Sequence, residues 1–360
     1  MRSVWVLGVL CVVLSLADDF DSLATRATAA RESGNAAEAA ALYRQALQLK
    51  PSWSEGWWYL GMAAYDADAY PDCRQAFGKF LELEPESAPA AALLGLCEYQ
   101  AGAFREALRH LSDARAATGG LPPEVEQVAR FHHALLLTAA GRFDEATRVL
   151  RPLIPKAAGN RTLLTAVGLD ALQVPLMPAN VPETLAPAVT AAGETAALWV
   201  SGDAAKTAAA FRDLQARFPS APGVHAFYAK YLLAEARPPD AVRELRAELG
   251  LNPGNARART LLALVLEKLG NIAEALPLAA QAAADAPDLP RAQYAYGLLL
   301  LDSGETAKAI PLLEAAERAD PGQLEFHTAA ARAYSKAGRH EDARCERRAS
   351  IDLARSADAR

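Results

Sequence analysis

A chain of 360 residues in which apolar side chains make up 52% and aromatics only 7%, with alanine and leucine dominating, has material for long packed helices and little for sheets. Its formal charge of −6 supplies no field for holding a nucleic-acid backbone, so nucleic acid is not an expected partner. The length allows either two ordinary domains or one repeat array that needs no central core.

The first element reads as an export signal, residues 1–17. Arg2 precedes a mostly apolar run of 13 residues from Val4 to Leu16, and Ser15-Leu16-Ala17 puts small residues at minus three and minus one. The run falls short of the roughly 20 residues of a membrane span. Cleavage after Ala17 is therefore favoured over an uncleaved anchor, and the periplasm or cell envelope is the expected location. Leu10 before Cys11 disfavours lipidation. Cys73, Cys97 and Cys345 then remain, an odd number without a C-x-x-C pair, and they read as small buried apolar residues. Cys73 and Cys97 fall in adjoining helices, which leaves an oxidised pair open in an exported protein.

Beyond the signal the chain repeats itself. Pro51 and Pro85, then Pro219, Pro253, Pro287 and Pro321, are spaced 34 apart, and a turn residue precedes each of them by 17. The turn series is Gly34, Asp68 and Gly102, then Gly202, Ala236, Gly270, Gly304 and Gly338. A helical hairpin with a tight turn inside it and a proline where its second helix ends gives this record. Five residues after the turn stands Ala39, Ala107, Ala146, Ala275, Ala309 or Ala343. Four further on comes Tyr43, Phe77, Leu111, Phe211, Leu245 or Leu313, and three further again Ala46, Ala114, Ala282 or Ala316. These spacings keep them on one face of the second helix, where small residues allow close approach.

Trp57, Leu60, Gly61, Phe77 and Pro85 resemble the tetratricopeptide repeat pattern W-x2-L-G-x2-Y, A-x3-F, P, with Cys73 and Ala64 departing from it. The resemblance implies an all-α, right-handed superhelical solenoid of about nine helix-turn-helix repeats. An N-terminal array over 18–160 takes units 20–53, 54–87, 88–121 and 127–160, and a C-terminal array over 188–360 takes 188–221, 222–255, 256–289, 290–323 and 324–357. Between them lies a helical, proline-rich insertion, 161–187, broken by Pro175, Pro178, Pro182 and Pro187. It reads either as a degenerate half-repeat with a linker or as a loop, Val174–Val181, that lines or covers the binding surface. The last unit carries Arg344, Arg347 and Arg348 on its second helix, the polar outer face a terminal repeat needs.

No H-E-x-x-H, phosphate-binding loop, G-x-S-x-G or G-x-G-x-x-G occurs, and no catalytic residue, metal ligand or cofactor is assigned. His132 and His133 are sequence neighbours about 100° apart on a helix and cannot readily share an ion. His225 and His327 stand where Trp57 stands in its unit and read as interhelix packing residues. Asn160-Arg161-Thr162 is a glycosylation sequon by pattern only.

In the resembled family the first helix of each unit lines the concave face through its second, fifth, ninth, twelfth and thirteenth residues. Carried onto this chain, that implies an aromatic half from Trp58, Met62, Tyr65, Leu96, Tyr99, Phe131, Leu135 and Trp199. The other half leans basic, from Lys230, Arg257, Lys268, Arg291, Arg332 and Lys336 with Tyr294, and Glu267, Asp302 and Glu325 lie among them. The sixth residues of the units include no asparagine, so the terminal-carboxylate clamp of the chaperone-tail binders is not expected. The function implied is a non-enzymatic scaffold that binds a protein or peptide, with an acidic segment against the basic half. Membrane association is expected only through a complex or an uncleaved signal anchor. The alternative is an accessory subunit of an envelope assembly complex for pili, secretion or polysaccharide export. A solitary hydrolase or redox enzyme using the insertion is disfavoured by the missing motifs.

Overall fold

The computed structural model of the chain describes residues 19–116 and 120–358, with side chains as far as Arg355. The expected signal segment, 1–17, lies outside them. The described residues form nineteen α-helices and two short 3₁₀ turns, with no strand, and fall into two compact units that meet in sequence at Leu153 and Ile154.

The first unit holds α1 (Phe20–Glu32), α2 (Ala36–Leu49), α3 (Ser54–Asp66), α4 (Tyr70–Leu83), α5 (Ala88–Gln100), α6 (Phe104–Ala116), α7 (Pro123–Ala139) and α8 (Phe143–Leu150). The second holds α9 (Arg161–Ala171), α10 (Ala186–Ser201), α11 (Ala204–Arg217), α12 (Val224–Ala234), α13 (Pro238–Leu251), α14 (Ala256–Lys268), α15 (Ile272–Asp285), α16 (Pro290–Asp302), α17 (Thr306–Ala319), α18 (Leu324–Lys336) and α19 (His340–Asp358). No helix among the described residues is long and apolar enough to cross a membrane.

Local chemistry starts and stops these helices where the periodic signals stand. Asp19, Asn35, Ser87, Asn160, Asp203 and Asn255 each accept a hydrogen bond from a backbone N–H of the first turn they precede. The sequon asparagine is thus a helix cap. Between the helices of a pair the turn residue adopts a positive φ, 79° at Gly34, 79° at Gly270 and 86° at Gly304. There the following amide reaches back over the helix end, as Glu305 N–H does to the Leu300 carbonyl at 2.8 Å. Each series proline from Pro51 to Pro321 directly follows the C-cap of a second helix, where no N–H is needed to continue it.

Packing follows from the small residues. Gly61 lies against the Phe77 ring, Gly95 against Leu111 and Gly297 against Leu313, so closely that a Cβ on any of them would come within 2.9 Å of that neighbour. The second-helix series is buried throughout, from Ala39, Tyr43 and Ala46 to Ala309, Leu313 and Ala316. Cys73 takes the alanine place in its unit with no exposure and is joined to Cys97 of α5 in a disulfide with Cα atoms 6.0 Å apart. Cys345 differs from expectation: it lies on the exposed face of α19 and is free.

The insertion also has structure. Residues 161–171 form α9, and α10 lies more extensively along α9 than along α11, the helix with which the repeat pattern pairs it. The cause is a crossing at two glycines, where a Cβ on Gly168 would stand 1.9 Å from the Val189 carbonyl oxygen and one on Gly193 would stand 2.1 Å from that of Leu164. Backbone meets backbone there. The end of α9 is also held, since Gly223 before α12 has no room for a Cβ against the Leu172 carbonyl. Val174 is buried, whereas Pro175, Ala179 and Asn180 are exposed.

Candidate partner-binding surface

In the first unit Trp58, Met62 and Tyr65 follow one another at helical spacing on α3. With Tyr99 of α5 they border one buried cluster that includes Phe77, Leu94 and Leu96. Each ring is half-buried and braced by the chain itself. Trp58 stands edge-on to Phe77 at 5.6 Å and tilted to Phe80 at 5.4 Å. Tyr65 meets Tyr70 edge-on at 6.4 Å, and Tyr99 meets both Phe104 at 5.5 Å and His132 at 4.4 Å. Phe131 is half-buried beside His132. Burial, with Asp66 and Asp68 adding to it, raises the Tyr65 hydroxyl above its ordinary pKa, and burial raises that of Tyr99, so both stay neutral donors at physiological pH. Leu96 and Leu135, expected on the same face, are 3% and 4% exposed and belong to the core instead. Helical phase alone does not distinguish the rim of the packing stripe from its centre.

In the second unit Trp199 of α10 covers an aromatic cluster, 5.7 Å from Phe211, 6.1 Å from Phe227 and 5.8 Å from Tyr231. Two arginines of the basic series are paired with acids of the chain itself. Arg291 of α16 pairs with Glu325 of α18 at 2.9 Å, and Arg332 of α18 pairs with Asp302 of α16 at 2.5 Å. Lys336 donates to the Leu301 carbonyl at 3.0 Å. Lys230 and Arg257 also have partners, while Lys268 is exposed. The acids of this face, Glu267, Asp302 and Glu325, are the other half of an α14, α16 and α18 charge ladder. Burial and the nearby Asp302 raise the Glu267 pKa. Tyr294, packed on Phe326 at 4.9 Å, is pushed up to about 12 by burial and by the Glu325 and Glu267 carboxylates.

The histidines have roles that packing does not describe. His225 and His327 point Nε2 at the Pro219 and Pro321 carbonyl oxygens, 3.0 and 2.9 Å away. Trp57 Nε1 does the same to Pro51 at 2.8 Å, Gln293 Nε2 to Pro287 at 3.2 Å, and Arg259 to Pro253. The fourth residue of these units is therefore a donor that ties the first helix to the preceding turn. Tryptophan, histidine, arginine and glutamine share an N–H at that reach and little else, which is why shape-based reading missed it. His132 and His133 go to separate partners, the Val128 carbonyl at 2.9 Å and Ser112 Oγ at 3.0 Å.

Comparison with known proteins follows the same lines. Residues 25–72 and 228–290 match one tetratricopeptide repeat family profile, and residues 300–344 match a second. No curated protein matches the sequence. Among solved structures, MamA from Desulfovibrio magneticus RS-1 is 21% identical over 47% of this chain and 96% of that one, with a TM-score of 0.40. Yeast Tom70 is 11% identical over 93% of this chain and 85% of its own, with a TM-score of 0.38. YrrB, described as a protein of this repeat type with an unusual peptide-binding site, is 19% identical over 46% of this chain and 86% of its own, with a TM-score of 0.38.

Proposed function

From the premise that this chain is built of tetratricopeptide repeats, we propose that it is an exported, non-enzymatic scaffold whose first unit holds a peptide segment or partner protein on the Trp58, Met62, Tyr65 and Tyr99 strip. The observation that carries the reading is that strip: four large side chains, braced by neighbours yet only half-buried, bordering one cluster. Rigid rings add contact area at low entropic cost and are the residue types that dominate binding energies. The family matches include no catalytic family, and the buried Cys73–Cys97 disulfide supports an oxidising compartment such as the periplasm or cell envelope.

Affinity capture from an envelope extract with the chain starting at Asp18 as bait tests this. Trp58→Ala together with Tyr99→Ala is expected to release the captured partner at least about 10-fold faster with helicity unchanged. A partner held equally well by the double variant overturns the placement. Recovery of the bait in a membrane-sedimenting complex points instead to the accessory-subunit reading.

A second reading concerns an acidic segment on the α14, α16 and α18 ladder, where Lys268 is exposed and Arg291, Arg332 and Lys336 already have intramolecular partners. A ligand carboxylate there must displace Glu325 or Asp302 from an arginine. Binding through this face is therefore expected to be salt-sensitive and modest.

A further inference from the structure

One trio of side chains is built differently from its counterpart elsewhere in the same chain. His327 of α18 faces Glu346 of α19, with Nδ1 2.7 Å from Oε2, and Glu317 of α17, with Nδ1 3.5 Å from Oε1. The three ligand-type atoms lie within 4.8 Å of one another, and theirs is the group of this kind found among the described residues. Three repeats earlier, 102 residues back, the same places are held by Gln215, His225 and Glu244. There His225 Nδ1 is 2.7 Å from Glu244 Oε2, and the Gln215 amide donates to that same oxygen at 2.7 Å. In the two units between, the places read Leu249, Arg259 and Leu278, then Ala283, Gln293 and Leu312, with no acid among them.

The substitution of Glu317 for the glutamine replaces a donor by an acceptor. His327 Nε2 is committed as a donor to the Pro321 carbonyl, so in the neutral ring Nδ1 is a lone pair. An imidazole nitrogen and two carboxylate oxygens then gather in one place, where either a proton on one of them or a cation among them offsets their repulsion. The two separations from Nδ1, 2.7 and 3.5 Å, lie either side of the spacing of about 3.3 Å between ligands at the bond lengths of four-coordinate zinc, and the two carboxylate oxygens are within 4.8 Å of each other. The second ring nitrogen bound to a backbone carbonyl is the arrangement that orients metal-ligating histidines. Two carboxylates neutralise a divalent ion. Side-chain exposures of 23% for Glu317 and 16% for Glu346 leave a way in from solvent. The neighbouring Glu314 is occupied separately, accepting from Tyr334 Oη at 2.7 Å and lying 3.7 Å from Arg339.

We propose that Glu317, His327 and Glu346 bind one divalent transition-metal ion of the zinc class, pinning α17, α18 and α19 together in the last repeat. The test is titration of the chelator-treated chain from Asp18 with Co2+ and then Zn2+, in a Cys345→Ser background that removes the exposed thiol. One equivalent of Co2+ with visible ligand-field bands, displaced by Zn2+, is the expected result. Glu317→Gln recreates the trio that the chain already folds around His225, so it retains helicity, and it is expected to weaken binding about 100-fold or more. Absence of binding to the parent chain overturns the proposal and leaves a proton as the charge between the carboxylates. Binding that Glu317→Gln does not alter overturns it equally, because the ion then sits elsewhere.

Discussion

Ala236 holds the left-handed turn conformation that glycine takes in most units, with φ of 54°. A Cβ in that region is strained against the following carbonyl, which glycine avoids. Ala236→Gly is therefore expected to stabilise the second unit by about 1 kcal/mol, net of the greater freedom glycine adds to the unfolded chain. A higher urea midpoint checks it, and a lower one would mean that the turn is not strained. His133 gives the residue scale a pH dependence. It is 6% exposed with no partner for Nδ1, and burial, with Arg115, Arg142 and Arg130 nearby, lowers its pKa from 6.5 to about 4. Between those values the unfolded chain binds the proton and the folded one does not. The associated stability, a few kcal/mol at most, is present above pH 6.5 and lost as pH falls toward 4. His133→Leu is expected to flatten that slope in melts at pH 7 and pH 4.5. The turn positions were legible because backbone conformation admits few residue types. The donors to the proline carbonyls were not, because hydrogen bonding leaves no single residue type at the fourth place.

At the scale of elements, close approach of paired helices dominates. Ala309 has no exposure, and its carbonyl lies beside Gly297 of α16, so Ala309→Trp is expected to lower stability by roughly 1 to 3 kcal/mol through overpacking. Unchanged stability in thermal melts would show that the helix faces are assigned in the wrong register. The disulfide joins α4 to α5 across a sequence separation of 24, and opening it frees the unfolded chain by an amount worth about 3 kcal/mol. Reduction is expected to lower the melting temperature of the first unit, with peptide mapping recovering the Cys73–Cys97 pair before reduction and not after. The sequence placed both cysteines in adjoining helices and left the pairing open, since a 24-residue separation says nothing about which faces meet. The α9–α10 contact was beyond such reading for a similar reason. Gly168 and Gly193 are ordinary helix interruptions until the crossing brings a carbonyl to each.

For the whole molecule, the proposed export carries a direct expectation: mass spectrometry of the protein from its native host should find Asp18 as the first residue, and an intact Met1 in a cytosolic fraction would overturn the proposed envelope location. The all-helical fold, the hairpin period and the turn residues were determined by sequence alone, because each is a short-range matter of backbone conformation and apolar spacing that every repeat states again. Only the tertiary structure decided which members of a helical stripe are buried and which are free. Leu96 and Trp58 share the stripe, yet the core closes over one and leaves the other half-open. It likewise paired Arg291 with Glu325 and Arg332 with Asp302, turning an apparent basic face into a neutralised ladder. Such pairings join residues about one repeat apart, and charge complementarity at that distance depends on how neighbouring hairpins stack, which no single repeat's pattern contains.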